Sequence, residues 1–211
     1  MTPTRLQLTD ERLKETLHSY DAHPDFYTRR YRAVDMSSYR QAFLSALPKP
    51  DGRVLDAGCG PGRDCAEFSS AGVSVVGLDL SPRLLAEARS YAPNTSFVNA
   101  DIRAMPFHAR TFDGVWMCSS LVHLPPESTA EVLREVRRVL RSDGVLFASV
   151  MEGTEAGWRE DGLGGRRWFE PFTEDLFTAL VKESGLALVS SRSESGVAMG
   201  RWVNVLARRE G

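Results

Sequence analysis

The sequence predicts a doubly wound α/β fold, a mostly parallel sheet under an N-terminal helical cap. Three observations predict it. Between residues 51 and 150, short apolar runs alternate with helix-length segments, the rhythm of βαβ units. A glycine-rich turn, Gly58 to Gly62, follows the first of those runs, where such folds place a ligand. Ahead of it, residues 1–50 carry helical spacing.

The elements follow in order. Leu13, Leu17 and Tyr20 share one helical stripe, and Phe43, Leu44 and Leu47 share another. Between them lies an aromatic, basic stretch from Phe26 to Arg32. Pro48 to Gly52 breaks the second helix and marks a boundary. Val54-Leu55 is a short strand ending at Asp56. The glycine turn then leads into a helix through Ala71. Val73 to Leu80 is a second strand, and Ser81-Pro82 opens the next helix, serine as its cap and proline at its first position. Phe97-Val98 and Phe112 to Met117 are further strands. Glu127 to Leu140 is a helix with Val132, Val136 and Val139 on its buried stripe. Asp143-Gly144 turns into a fifth strand, Val145 to Val150. Thr173 caps a helix, with Phe172 and Phe177 as a hydrophobic staple. Leu186 to Val189 and Trp202 to Ala207 close the sheet.

Residues 151–172 break this rhythm. They hold Gly153, Gly157, Gly162, Gly164 and Gly165 among Trp158, Trp168, Phe169 and Phe172. So long a connection is read as functional, and its aromatics argue against disorder. The chain is therefore expected to be a single domain over 1–211, in four parts. These are a helical cap (1–50), a core (51–150), a lid-like insert (151–172) and closing elements (173–211).

Composition removes several function classes. A length of 211 residues suits one domain with a substantial core. The formal net charge of -2 speaks against a nucleic-acid partner. Arginine outnumbers lysine 23 to 3, which a GC-rich genome explains without a functional role. Cys59, Cys65 and Cys118 are odd in number and form no metal or disulfide pattern, so no metal site is expected and a reducing compartment is. No apolar run approaches the ~20 residues that cross a bilayer. The segment from Met1 to Arg5 has no leader-like apolar core. The expected location is cytoplasmic, away from membranes; nothing in the sequence addresses oligomeric state.

The glycine turn narrows the ligand. Such a turn lets backbone approach a ligand and opens a helix with free N–H groups. Asp79, at the next strand tip, stands 21 residues after Gly58, where an acid meets ribose hydroxyls. A dinucleotide fingerprint wants a third glycine where this chain has Arg63. A pyrophosphate would be repelled by Asp56, whereas an ammonium would be attracted. A cationic ligand carrying a ribose fits both acids.

Five segments then carry a family resemblance. Val54-Leu55-Asp56-Ala57-Gly58-Cys59-Gly60-Pro61-Gly62-Arg63-Asp64 resembles the first motif of class I S-adenosylmethionine-dependent methyltransferases. Val75 to Ser81 resembles the second. Asn99 to Ile102, Phe112 to Trp116 and Leu140 to Leu146 are similar to the later ones. The resemblance covers roughly residues 50–150 and resembles the small-molecule, bacterial type. It implies a seven-stranded sheet with the last strand antiparallel, and S-adenosylmethionine as methyl donor. It implies roles too. Gly58, Cys59, Gly60 and Gly62 would pack on the donor, with Asp56 near its amino-acid end. Asp79, with Leu80 beside it, would hold the ribose. Asp101 and Ile102 would meet the adenine, and Cys118 the methionine portion.

Little chemistry is then required of side chains, because alignment of the acceptor behind the methyl group carries much of the rate. His123, just after the fourth strand, is the candidate general base; the alternative is a packing or capping histidine. The chain has Met117-Cys118 where cytosine-carbon methylating enzymes resemble Pro-Cys, so covalent attack by Cys118 is disfavoured. Ser119-Ser120 likewise departs from the nucleobase and glutamine amino-methylating pattern. In such a family the acceptor is bound by the variable additions. Tyr20, Tyr27, Tyr31, Trp158, Trp168 and Phe169 would wall its pocket, and Arg159, Arg166 and Arg167 would bind a carboxylate or phosphate.

The expected function is methyl transfer to oxygen or nitrogen of a small metabolite. Two alternatives stand beside it: methylation of a peptide, protein or RNA through a wide charged groove, and a non-catalytic donor-binding protein whose pocket Trp158 or Trp168 plugs.

Overall fold

The computed structural model describes residues 5–195 and 200–211. The expected absence of a leader falls largely on residues 1–4, outside them. Three helices form the cap: α1 (Arg5–Ala22), α2 (Pro24–Arg32) and α3 (Ser37–Ala46). The aromatic, basic stretch is thus itself a helix. Pro24 sits at its first position, and Tyr27 and Tyr31, four apart, fall on one face.

Among the described residues, nine strands and four further α-helices follow. They are β1 (Arg53–Ala57), α4 (Arg63–Ser70), β2 (Ser74–Asp79), α5 (Pro82–Tyr91), β3 (Ser96–Asn99), β4 (Phe112–Cys118) and α6 (Pro126–Val139). Then come β5 (Leu140–Met151), β6 (Gly157–Glu160), β7 (Arg166–Phe169), α7 (Glu174–Glu183), β8 (Ala187–Ser195) and β9 (Arg201–Arg208). The main sheet has seven strands in the order β3-β2-β1-β4-β5-β9-β8. β1 to β5 pair in parallel, and β9 runs antiparallel to both β5 and β8. This is the doubly wound, mostly parallel sheet expected, its last strand antiparallel.

Side chains alternate across the sheet and fill two cores. On β4, Val115 and Met117 pack with Val132, Val136 and Phe177 of α6 and α7. Trp116, between them, faces Phe43 of α3 and Phe68 of α4. Its ring stacks on Phe147 at 4.0 Å between centroids, and its indole N–H donates to Asp64 at 3.0 Å. Ser81 and Thr173 cap their helices as expected, each hydroxyl accepting a backbone N–H three residues on. Phe172 and Phe177 meet at 5.7 Å between centroids, which completes the staple.

The insert departs from expectation. It is a β-hairpin, β6 against β7, with Trp158 opposite Trp168 and Arg159 opposite Arg167. Gly162 and Gly164 turn its tip at φ of 80° and 91°, a region that favours glycine. The fifth strand also begins earlier than the sequence suggests, at Leu140, and carries Asp143 at φ 62° within it.

Candidate cofactor and acceptor site

The carboxyl ends of β1, β2 and β4 open into a cleft of about 520 Å³, where open α/β sheets bind ligands. Its floor is the turn between β1 and α4. Gly58, Gly60 and Gly62 take φ of 83°, 51° and 81°, which side chains rarely adopt. The amides of Gly58 and Cys59 donate to the Leu78 carbonyl at 2.7 and 3.0 Å, fastening the turn to β2. A side chain at Gly58 would stand 2.5 Å from Ser120, whereas the same position on Gly60 faces open space. The turn is therefore a bare backbone shelf. Cys59 lies buried beneath it, and burial pushes its thiol up to about 11.

Three acids edge the shelf. Asp79 accepts from the amides of Gly60 and Ser81, both at 2.8 Å. Burial raises its pKa, opposed by those amides. Asp101 holds Arg103 through both oxygens, at 2.7 to 3.1 Å, and Arg103 reaches on to Asp10 of α1 at 2.8 Å. Asp56 is only 2% exposed. Burial, then the neighbouring Asp64, raises its pKa well above the carboxylate range. Asp64 itself has Arg40, Arg63 and Trp116 as partners, so the proton of this pair belongs on Asp56. An incoming ammonium would oppose that.

Leu80, Ile102 and Cys118 also line the cleft. Arg63, which entered the sequence argument only as a missing glycine, has a positive role. It donates to Asp64, to the Tyr31 and Val34 carbonyls and to the Cys118 sulfur. It clasps the cap onto the glycine turn. The signal was in the sequence only as an arginine beside an acid.

The opposite wall is made of side chains from far apart in the chain. Tyr20, Tyr31, His123, Arg159, Arg167 and Phe169 line the cleft. His123 Nδ1 meets the Trp168 carbonyl, so that nitrogen carries the hydrogen and Nε2 accepts the Tyr20 hydroxyl at 2.9 Å. Tyr31 therefore donates to Tyr20 at 3.1 Å, and Arg167 donates to both phenol oxygens at 3.2 and 2.8 Å. Burial lowers the His123 pKa to about 4. The ring is thus a neutral acceptor whose Nε2 takes the Tyr20 hydroxyl.

Four other expected residues do not line the cleft. Tyr27 is buried behind it, sharing Ser19 and Asp161. Trp158, Arg166 and Trp168 fall on the other face of the hairpin, because side chains alternate along a strand. Trp158 and Trp168 meet each other at 5.5 Å between centroids. Arg12 of α1 lies 3.6 Å over Trp168, and Arg166 pairs with Glu15 at 2.6 Å. Neither tryptophan plugs the cleft. The sequence offered no signal for Asp161, which takes Ser19, Tyr27 and the amides of Leu163 and Gly165. Among the described residues, no acid, histidine and cysteine cluster could hold a metal, and no helix is long and apolar enough to cross a membrane.

Comparison with known proteins places this geometry in context. Residues 54–144 match the family model described as a methyltransferase domain. Malonyl-[acyl-carrier protein] O-methyltransferase of Enterobacter lignolyticus is 42% identical over 50% of this chain and 41% of its own length. Demethylmenaquinone methyltransferase of Beutenbergia cavernae is 36% identical over 53% of this chain and 46% of its own. The chain thus spans less than half of either relative. Among solved structures, 1,6-didemethyltoxoflavin-N1-methyltransferase of Burkholderia thailandensis, with S-adenosylhomocysteine bound, superposes with a TM-score of 0.70 at 24% identity, covering 97% of this chain and 88% of that one. A methyltransferase structure from Methanosarcina mazei gives 0.75 at 19% identity, covering 84% and 99%.

Proposed function

We propose that this chain, whose residues 54–144 match a methyltransferase domain, is a class I S-adenosylmethionine-dependent methyltransferase that methylates oxygen or nitrogen of a small metabolite in the cytoplasm. One observation supports this most. The shelf and the aromatic wall line a single cleft of about 520 Å³, to which the cap and the hairpin contribute side chains, a size that suits a small acceptor beside the donor. Both tryptophans lie outside it, which favours an enzyme over a plugged binder.

The residues present fit the donor. The bare backbone at Gly60, with Gly58, Cys59 and Gly62 around it, would seat it. Asp79, with Leu80, would accept hydrogen bonds from a ribose diol, held in place by its two amides. Asp101 and Ile102 would border the adenine, Asp56 the ammonium, and Cys118 the methionine portion. S-adenosylmethionine supplies an electrophilic methyl on a sulfonium. The chain's own contribution is to orient the acceptor and exclude water. Tyr20, fixed by His123 and Arg167, would hold the acceptor against the shelf; His123 is thus a positioning residue. Trp158, Arg166 and Trp168 would hold the hairpin onto α1, with no contact to the acceptor. The hairpin with its flanks, residues 151–172, would act as a lid.

Labelled methyl transfer into a metabolite extract, followed by mass spectrometry, tests this. The expected result is label in a low-mass product. Label confined to macromolecules, or none at all with the donor bound, would overturn it.

A further inference from the structure

The geometry points to an oxyanion subsite at Arg167 and Arg159, and hence to a methyl acceptor that carries a carboxylate or phosphate group. This deepens the small-molecule reading above and rests on it. Arg167 is only 7% exposed. Buried arginines are nearly always paired with an acid, because an uncompensated buried charge is costly. Among the described residues, no carboxylate pairs with this one. Its Nη1 donates to Tyr20 and Tyr31, and its Nε has no hydrogen-bond partner. Three rings surround the guanidinium, those of Tyr27, Phe169 and Tyr20, at 4.8, 5.1 and 5.4 Å.

Arg159 adds a second charge on the same face. It stands directly opposite Arg167 in the hairpin register and lies 4.9 Å from the Phe169 ring centre. Like charges at opposed strand positions are destabilising, and among the described residues no acid forms an ion pair with either arginine. Asp161 already takes two hydroxyls and two amides. Glu160 is opposite Arg166. Both arginines face the cleft that the shelf also lines. Acids line the same cleft, Glu160 and Asp161 among them, yet none of the described ones pairs with Arg167; two neighbouring guanidiniums with an unused Nε–H are complementary to an oxyanion, which guanidinium binds in bidentate fashion.

Calorimetry on the full chain, saturated with S-adenosylhomocysteine, tests this with three probes of similar shape: benzoate, phenyl phosphate and neutral benzamide. At least one anion should bind about ten-fold tighter than benzamide, and which one does separates carboxylate from phosphate. Arg167→Met should abolish the preference, and Arg159→Gln should reduce it several-fold. The second variant decides the matter if the first does not fold. Equal binding of benzamide, no binding of either anion, or an anion preference untouched in Arg159→Gln would overturn the subsite. S-adenosylhomocysteine affinity, measured on the same samples, separates the two readings. Donor product bound without anion preference removes only the subsite. No binding of the donor product removes the methyltransferase reading, while the anion titration still reports on the arginines.

Discussion

The two walls of the cleft are built by opposite means. The shelf is backbone, and its parts lie close in sequence: a turn at 58–62 and single acids at 79 and 101. The facing wall is side chains brought from afar. Tyr20 meets His123 across 103 positions and Arg167 across 147. A backbone shelf tolerates little change in its glycines but needs few particular side chains. A side-chain wall can be rebuilt residue by residue. The difference teaches where each half should fail.

The largest effect is expected on the shelf. Gly58→Val places a branched side chain at φ 83° and within 2.5 Å of Ser120. It should cost about 3 kcal/mol of stability and abolish S-adenosylhomocysteine binding. Denaturant melts and calorimetry check both; a normally stable, binding variant would break the contrast between the walls. Next comes Asp79→Asn. If Asp79 binds the ribose as proposed, losing its charge should weaken donor affinity by about 2 kcal/mol, or roughly 30-fold, with the anion preference of the other wall unchanged.

His123→Gln should act on the other wall alone. Acceptor KM should rise about ten-fold with Tyr20 loosened, while kcat changes less and donor affinity stays put; a collapse of kcat at constant KM would restore the histidine as a base. The same variant has a signature in stability. With the pKa lowered from 6.5 to about 4, the unfolded state binds more protons between those values. Stability contributed by the neutral ring is complete above pH 6.5 and falls away as pH drops toward 4. His123→Gln should flatten that part of the acid limb in melts taken at stepped pH.

Asp56 gives a smaller effect of opposite sign. Its raised pKa means the folded protein holds the proton more tightly, so its contribution weakens as pH rises above the usual carboxylate range. A bound ammonium would favour the ionised form. The thermal shift given by S-adenosylhomocysteine should therefore grow with pH, and should lose that dependence in Asp56→Asn. The smallest effect is Arg166→Ala, which should leave affinity and turnover within error. Beside Arg167 in sequence but on the outer face, it sharpens the contrast by a single step along one strand.

That step also shows what the sequence made legible. The glycine turn, the Ser81 and Thr173 caps and the Phe172–Phe177 staple depend on neighbours a few positions apart, so local spacing reveals them; Asp79 is legible because it ends the next strand, at the expected distance from the turn. The hairpin obeys a local rule too, period-two alternation around a glycine turn at 162–165. Its five glycines make it look irregular in the sequence, where nothing divides its arginines and aromatics between two faces. Once the strands are recognised, alternation alone separates Arg159, Arg167 and Phe169 from Trp158, Arg166 and Trp168. The engagement of His123 by Tyr20 and the Trp168 carbonyl, and the clasp at Arg63, depend on how distant segments dock. No window of sequence contains them.

One element touches both walls. Helix α1 gives Asp10 to Arg103 and Asp21 to the Ser81 hydroxyl on the shelf side. On the other side, Thr16 receives the Trp168 amide at 2.9 Å, Ser19 reaches Asp161 and Tyr20 reaches His123. Whatever steadies α1 from one side steadies it for the other. Two ligands that both draw on this helix have linked binding free energies. If the first tightens the second by some factor, the second tightens the first by the same factor. The helix would thus make an encounter with either partner alone weaker than the encounter that completes the pair.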